Sequence, residues 1–507
     1  MSQLEAAAIT TSTPRAAGSA RVPAGPETPE ARAGNALSMR RPADQHGPLD
    51  EVVERVRRDA CDAVDALQVA ALLEAEGVTD QVAKTQYGFG DVFGMADAVY
   101  RRLGGLHLAV RLTSRAHGGR RQAWRDAAHG VLYLLPSAVF PAVLAFVERP
   151  SVNAGLVVAG GAGWLLAGVA SWFAYQLLGL GDGRSAARVL LWFTAAGLVA
   201  AALLGAGVAA ATHGSGRVIA FAVGAMAYQM SSMLLTFYRL EAWLAATMAP
   251  GAATGLAYAL AGQPSLRLAL TAGAVSVSVT LVLAVLCVVR SLRSASAAKQ
   301  THPLRTLLGG RVTVFMLVVV YTALSAVYLL HSQVPYLLDR FDILVTAVPL
   351  MLGMGVVEWR ARRFTELARE LLRRVHYPRE FIRRIWLLLV ANVVACTGVA
   401  ALAATALLVV LDRLAMLSMA AATMAAGYAV LAGAYMVTFV LAGHGRYGSL
   451  SAALAAAVAV HLVGSAIVRV GSAALTDTTV FLVSAVVLQV LLFLAMIPVA
   501  NQVWRHA

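Results

Sequence analysis

The chain has 507 residues, of which 59% are hydrophobic and only 13% charged, with a formal net charge of +14 and a mean hydropathy of +0.70. Soluble domains carry about 25% charged residues, so this composition excludes an ordinary soluble globule. Most of the basic residues lie beside apolar runs and lack interleaved aromatic stacking platforms, which points to membrane topology and away from nucleic acid as a partner.

Residues 1–48 are rich in Ala, Pro, Gly, Thr and Arg without apolar periodicity, and are expected to be disordered. They lack the apolar core of a secretory signal peptide. Residues 49–127 form a cytoplasmic helical module and a juxtamembrane segment. Within it, Val52, Val56, Ala60, Val64, Leu67 and Leu72 recur near the helical period, and Gly77 supplies a C-terminal stop. The module is either a cap or linker on the membrane portion or a docking element for a partner. The glycines of GFGDVFG at 88–94 do not have dinucleotide-loop spacing, and no strand precedes them. The chain has no Walker A sequence, no Ser/His/Asp pattern and no HExxH, so it reads as neither an ATP-driven motor nor an enzyme. Cys61, Cys287 and Cys396 show no CxxC or Cys/His ligand spacing, which predicts neither a metal site nor a disulfide framework, and no cofactor is expected.

From residue 128 onward the chain reads as an all-α polytopic membrane protein, because an apolar run of about 20 residues matches the roughly 30 Å hydrocarbon core when helical. Twelve spans are expected in two bundles of six. The first bundle (128–289) holds 128–147, 153–178, 187–211, 217–237, 241–262 and 267–289. A basic cytoplasmic linker follows at 290–311. The second bundle (312–507) holds 312–331, 341–358, 382–410, 414–442, 449–470 and 477–500. Pro250 makes the fifth span a candidate for a break or tilt, and the eighth is short. Alternate connections hold 26 basic residues on one side against six on the other. By the positive-inside rule both termini are cytoplasmic, in a multi-pass protein of the plasma membrane.

Few polar groups lie within the spans. Pro136 and Pro141 each remove a backbone donor from the first span, predicting a bend that serves either as a hinge or as a passive irregularity. Trp172, Tyr175 and Gln176 form a polar-aromatic group in the second span, and Tyr228 and Gln229 another in the fourth. Such groups face other helices or water, so they either bind helices together or line a substrate cavity. Asn392, also kept as a cavity candidate, stands with His461 and Gln489 as single polar residues that lean toward interhelical contacts. Charges within the hydrocarbon are nearly absent: Arg239, Glu241 and Glu358 sit at span ends, where charges snorkel to the interface. The arginine-rich stretch 358–386 reads either as a basic helix on the inner leaflet or as a solvated connector.

The segments PLMLGMGVVEW (349–359), YQMSSMLLTFYRLEAWLAATMAPG (228–251) and LAGHGRYGSLSAALAAAVAVHLV (441–463) resemble polysaccharide-export members of the multidrug/oligosaccharidyl-lipid/polysaccharide (MOP) exporter superfamily. The resemblance covers about residues 128–500. It implies two bundles around a central cavity that opens alternately to the two sides, acting as a transporter or flippase for a glycan or lipid-linked substrate. The first half lacks deep arginines to hold a pyrophosphate, which favours a neutral or polymeric glycan. Two alternatives remain. GLGDGRSAAR at 179–188 loosely resembles the motif loop of major-facilitator efflux transporters. A non-transporting scaffold recruiting cytoplasmic glycosyltransferases through 49–103 and 360–384 fits the scarcity of intramembrane charge. Membrane lipids are partners under every reading.

Overall fold

A computed structural model describes residues 48–56, 66–102, 130, 132, 134–147, 149–261, 265–294, 312–375, 377–469 and 471–501. The expected tail at 1–48 therefore lies outside the described residues up to 47, as do Cys61 and the linker from 295 to 311. The chain divides into a unit over Glu5–Arg121 and a unit that holds Gln122–Ala507.

In the N-terminal unit, α1 (Pro48–Val56), α2 (Ala66–Ala75), α3 (Asp80–Gln86) and α4 (92–102) bury a small core of their own. Val52, Val56, Val69, Leu73, Met95 and Val99 are its fully enclosed members. The expected stop after α2 is present: Gly77 has φ +88°, a left-handed conformation that glycine adopts without steric cost. Thr79 then caps α3 by accepting from the Val82 N–H.

The larger unit has helices as its only regular secondary structure among the described residues, and it is a multi-pass membrane protein. Eleven of its helices are long and apolar enough to cross a bilayer. They are α6 (Arg149–Gly179), α7 (Gly183–Thr212), α8 (Arg217–Phe237), α9 (Glu241–Ala261), α10 (Leu266–Ser294), α11 (Val312–Gln333), the pair α12 (Phe341–Leu344) and α13 (Val348–Arg374), α14 (Pro378–Arg413), α15 (Met419–Gly443), α16 (Tyr447–Ile467) and α17 (Ala473–Ala500). The first expected span, 128–147, is represented by the shorter apolar α5 (Leu134–Phe146), with residues on its N-terminal side mostly outside the described set. The fifth span is one unbroken helix with Pro250 inside it.

One of the two readings of the basic stretch after residue 358 is corrected: it is helical and not a loose connector. The eighth span continues as helix to Arg374, and α14 restarts at Pro378, so the stretch is the end of a helical hairpin. Charge periodicity explains the continuity: Glu358–Arg362, Arg363–Glu366 and Glu380–Arg384 pair at helical spacings. Phe364 and Ala368 of α13 and Phe381 and Ile385 of α14 are buried there.

The two halves repeat one packing scheme. In the first, α6 packs on α7 and α8, α7 on α8, α8 on α10, and α9 on α10. In the second, α13 packs on α14 and α15, α14 on α15, α15 on α17, and α16 on α17. The pairing of α11 with α16 has its counterpart in α5 and α9, where a Cβ on Gly255 would meet the Ala138 carbonyl oxygen at 2.4 Å. Only glycine permits that approach.

The halves also meet reciprocally. The first helix of the second half, α11, lies on the second helix of the first half, α6. Gly130, at the start of the first span, in turn meets the backbone of Leu352 in α13. Within the second half α15 is the central helix, with 17 of its 25 residues buried, while large side chains such as Trp192, Leu260 and Leu402 face outward from peripheral helices.

Candidate functional site

The expected site residues fall into three places. Trp172 and its neighbour Phe173 pack edge to face at 5.1 Å, and both reach Phe315 of α11, at 6.1 and 5.2 Å between ring centroids. Trp172 thus sits at the junction of the halves, near the end where the linker emerges. One turn on, Tyr175 contacts Phe237 at 4.9 Å, and Gln176 is half-buried beside it on α6.

Tyr228 and Gln229 lie elsewhere on the same α6–α8 seam. The Gln229 amide lies over Gly163, where a Cβ would meet its Oε1 at 2.1 Å. Gly163 and Gln176 are 13 residues apart on one helix, or roughly 20 Å. The first-half candidates therefore form two groups rather than one lining.

Tyr228 has a defined task. Pro136 has no N–H, so the carbonyl of Leu132, four residues earlier, loses its helical donor. The Tyr228 hydroxyl donates to that oxygen at 2.9 Å. Pro136, the hinge candidate, and Tyr228, a cavity candidate, are thus linked through one carbonyl although 92 positions apart. Pro141 lies on the same helix, facing partly toward its neighbours.

Asn392 joins neither group. It is 3% exposed in α14, where its Nδ2 donates to the Leu388 carbonyl at 2.7 Å and its Oδ1 accepts from Arg360 at 3.4 Å. Two of the three interface charges lie at helix ends, while Glu358 lies within α13, which runs on to Arg374. Arg239 has φ +57° in the tight α8–α9 turn, Glu241 opens α9 where the helix dipole favours an acid, and Glu358 pairs with Arg362 at 3.8 Å.

The sequence reading missed the principal polar cluster, which lies in the second half. It treated Asp477 as the first residue of the last span, but α17 begins at Ala473, capped by Ser472, so the carboxylate lies inside the helix. The last span therefore starts four residues earlier than expected and includes one carboxylate near its start. Asp477 accepts from the Tyr336 hydroxyl at 2.6 Å on Oδ2, and its Oδ1 lies 3.2 Å from Nε2 of His461. His461 is 1% exposed, and its ring stands 4.9 Å from that of His331 on α11.

Around this core, the Tyr428 hydroxyl meets Ser332 at 3.1 Å and accepts from Gln333, while Tyr328 meets Ser484 at 2.8 Å. Phe481 closes the cluster against His461, Tyr428 and Tyr328. The His461–Asp477 contact is in ion-pair range but outside hydrogen-bond geometry, and His461 Nδ1 and His331 Nε2 are buried without a hydrogen-bond partner. An aspartate facing two imidazoles inside a helical bundle can take up or release a proton with little movement of heavy atoms. The described residues show no group of three or more His, Cys, Asp or Glu arranged to hold a metal ion.

No protein-family model matches this chain, and no curated protein matches it. Several solved structures align with it at low identity. A crystal structure of MATE in complex with MaD3S has 12% identity and a TM-score of 0.46, covering 75% of this chain and 97% of that one. A crystal structure of MATE in complex with MaL6 has 14% identity and a TM-score of 0.43, covering 75% and 98%. The inward-facing conformation of a multidrug resistance MATE family transporter of the MOP superfamily has 13% identity and a TM-score of 0.40, covering 74% and 98%.

Proposed function

We propose that this chain is a secondary transporter that exports a glycan-type substrate by alternating access between its two halves, coupled to proton binding in the cluster around Asp477. One observation carries the reading. Two six-helix halves repeat the same internal pairing and dock reciprocally, α11 on α6 and the first span on α13. Internal repeats that meet across small residues are the architecture in which one half rocks against the other. Glycines at the contacts, such as Gly168 against Thr322 and Gly161 against Leu330, favour sliding over interlocking.

The cargo reading draws on the first half, where Trp172, Tyr175, Gln176 and Gln229 offer aromatic faces and amides without charge. Sugar hydroxyls pair with amides, and their apolar faces stack on rings. The arginine-rich linker end is cytoplasmic in this account, and the membrane is the plasma membrane. The separate core of the N-terminal unit supports its use as a docking element for cytoplasmic glycosyltransferases.

A strain lacking the gene tests the reading. Loss of surface glycan with intracellular accumulation, restored by the wild-type chain and not by Asp477→Asn, is the expected outcome. Normal glycan with raised sensitivity to small toxic molecules would move the cargo to drug-like compounds. If removal of residues 1–103 abolishes export but leaves membrane insertion intact, docking is essential.

A further inference from the structure

The hairpin formed by the ends of α13 and α14 has no task in transport as described above. Residues 358–384 contain nine arginines and four glutamates, leaving a net charge of +5. Internal pairs occupy Arg362, Arg363 and Arg384, whereas Arg379 and Arg383 are exposed on one face of α14, four residues apart. Phe364 and Phe381 are buried where α13 and α14 pack on one another, so these guanidinium groups are displayed from packed helices.

The level of that frame relative to the bilayer can be read from α14. From Ile385 to Leu411 the helix carries no charged residue, a stretch of about 40 Å that outspans the roughly 30 Å hydrocarbon core. Trp386 marks its boundary: the ring stacks on Phe493, and its Nε1 donates to Asn501 at 3.2 Å, level with the end of α17. Aromatic residues of this kind sit at the headgroup level. Arg383 lies three residues beyond Trp386 and Arg379 seven, which is about 5 and 10 Å. Both therefore fall within about one Debye length of the headgroup phosphates, before the reach of the side chain is added.

We propose that the α13–α14 hairpin is a binding surface for the phosphodiester headgroups of anionic lipids, with Arg379 and Arg383 as its principal contacts. Guanidinium groups engage phosphate oxygens bidentately, and each basic residue near an anionic leaflet adds to the attraction. This inference does not depend on the transport reading, since lipid binding is measured without cargo.

The full-length protein in mixed micelles tests it. Adding dioleoylphosphatidylglycerol should raise the thermal unfolding midpoint above that in dioleoylphosphatidylcholine. The variant Arg379→Ala/Arg383→Ala should lose at least half of that rise while matching the wild type in phosphatidylcholine. Arg267→Ala, at the opposite end of the bundle, should keep the full rise. An undiminished rise in the double variant would overturn the proposal. So would an equal rise from millimolar inorganic phosphate, which would make the site one for free phosphate. If the double variant is unstable even in phosphatidylcholine, Arg379→Lys/Arg383→Lys decides the matter, because retained charge should retain most of the lipid effect.

Discussion

Changing Tyr228 to Phe removes a single oxygen whose partner is known. The Tyr228 hydroxyl donates at 2.9 Å to the Leu132 carbonyl, which Pro136 has deprived of its helical N–H. Tyr228 is 9% exposed, so water has little access to replace it. An unsatisfied buried acceptor costs about 1–3 kcal/mol, and Tyr228→Phe should destabilise the protein by that amount. Pro136→Ala restores the N–H within the helix and gives Leu132 its own donor. In that background Tyr228→Phe should cost less than about 0.5 kcal/mol, so the double-mutant cycle should report a coupling of about 1–2 kcal/mol. Reversible unfolding in mixed dodecyl sulfate micelles measures all four proteins. Equal costs of Tyr228→Phe in the two backgrounds would refute the reasoning and separate the proline from the tyrosine.

Three further outcomes follow from the geometry. Asp477→Asn retains an acceptor for the Tyr336 hydroxyl, so it should fold at a cost below about 1.5 kcal/mol while losing proton-driven transport in proteoliposomes. Phe364→Ala empties a fully buried ring site at the base of the hairpin; it should cost about 3–5 kcal/mol and increase proteolysis between 360 and 384. Gly255→Val places a Cβ within 2.4 Å of the Ala138 oxygen and 2.8 Å of the Val139 Cα, both backbone atoms that cannot turn aside. Its cost should be at least about 1–3 kcal/mol, read as lowered yield and unfolding midpoint, whereas Gly207→Ala, with open space around it, should be neutral.

The membrane helices were legible because a helix in lipid must be both long and apolar, and a single residue string records both properties. The stop at Gly77 was legible for a similar reason, since a left-handed cap is a local event. Other features depended on neighbours. The continuation of α13 past Glu358 was one of two alternatives, and the i,i+4 spacing of Glu358 with Arg362 is the feature that favours it. Asp477 was hidden by a four-residue error in where its helix starts. The Ser472 cap, five residues upstream, was the signal that could have placed it.

The Tyr228–Leu132 bond and the His331–His461 contact join residues 96 and 130 positions apart, which no local pattern encodes. Trp172 illustrates the same limit from the other side. Its aromatic neighbours on α6 were visible in sequence, but Phe315 comes from the other half of the chain.

Distances between spin labels test the central claim, movement of one half against the other, most directly. With Cys61, Cys287 and Cys396 replaced, one label pair at Arg188→Cys and Gly448→Cys reports the linker end, and a second at Arg267→Cys and Arg413→Cys reports the opposite end. Across the range in which histidine titrates, about pH 5 to 8, the account predicts two distance populations at each end. The condition that lengthens one pair should shorten the other, and Asp477→Asn should freeze both. A single unchanged distance at both ends throughout that range would contradict it.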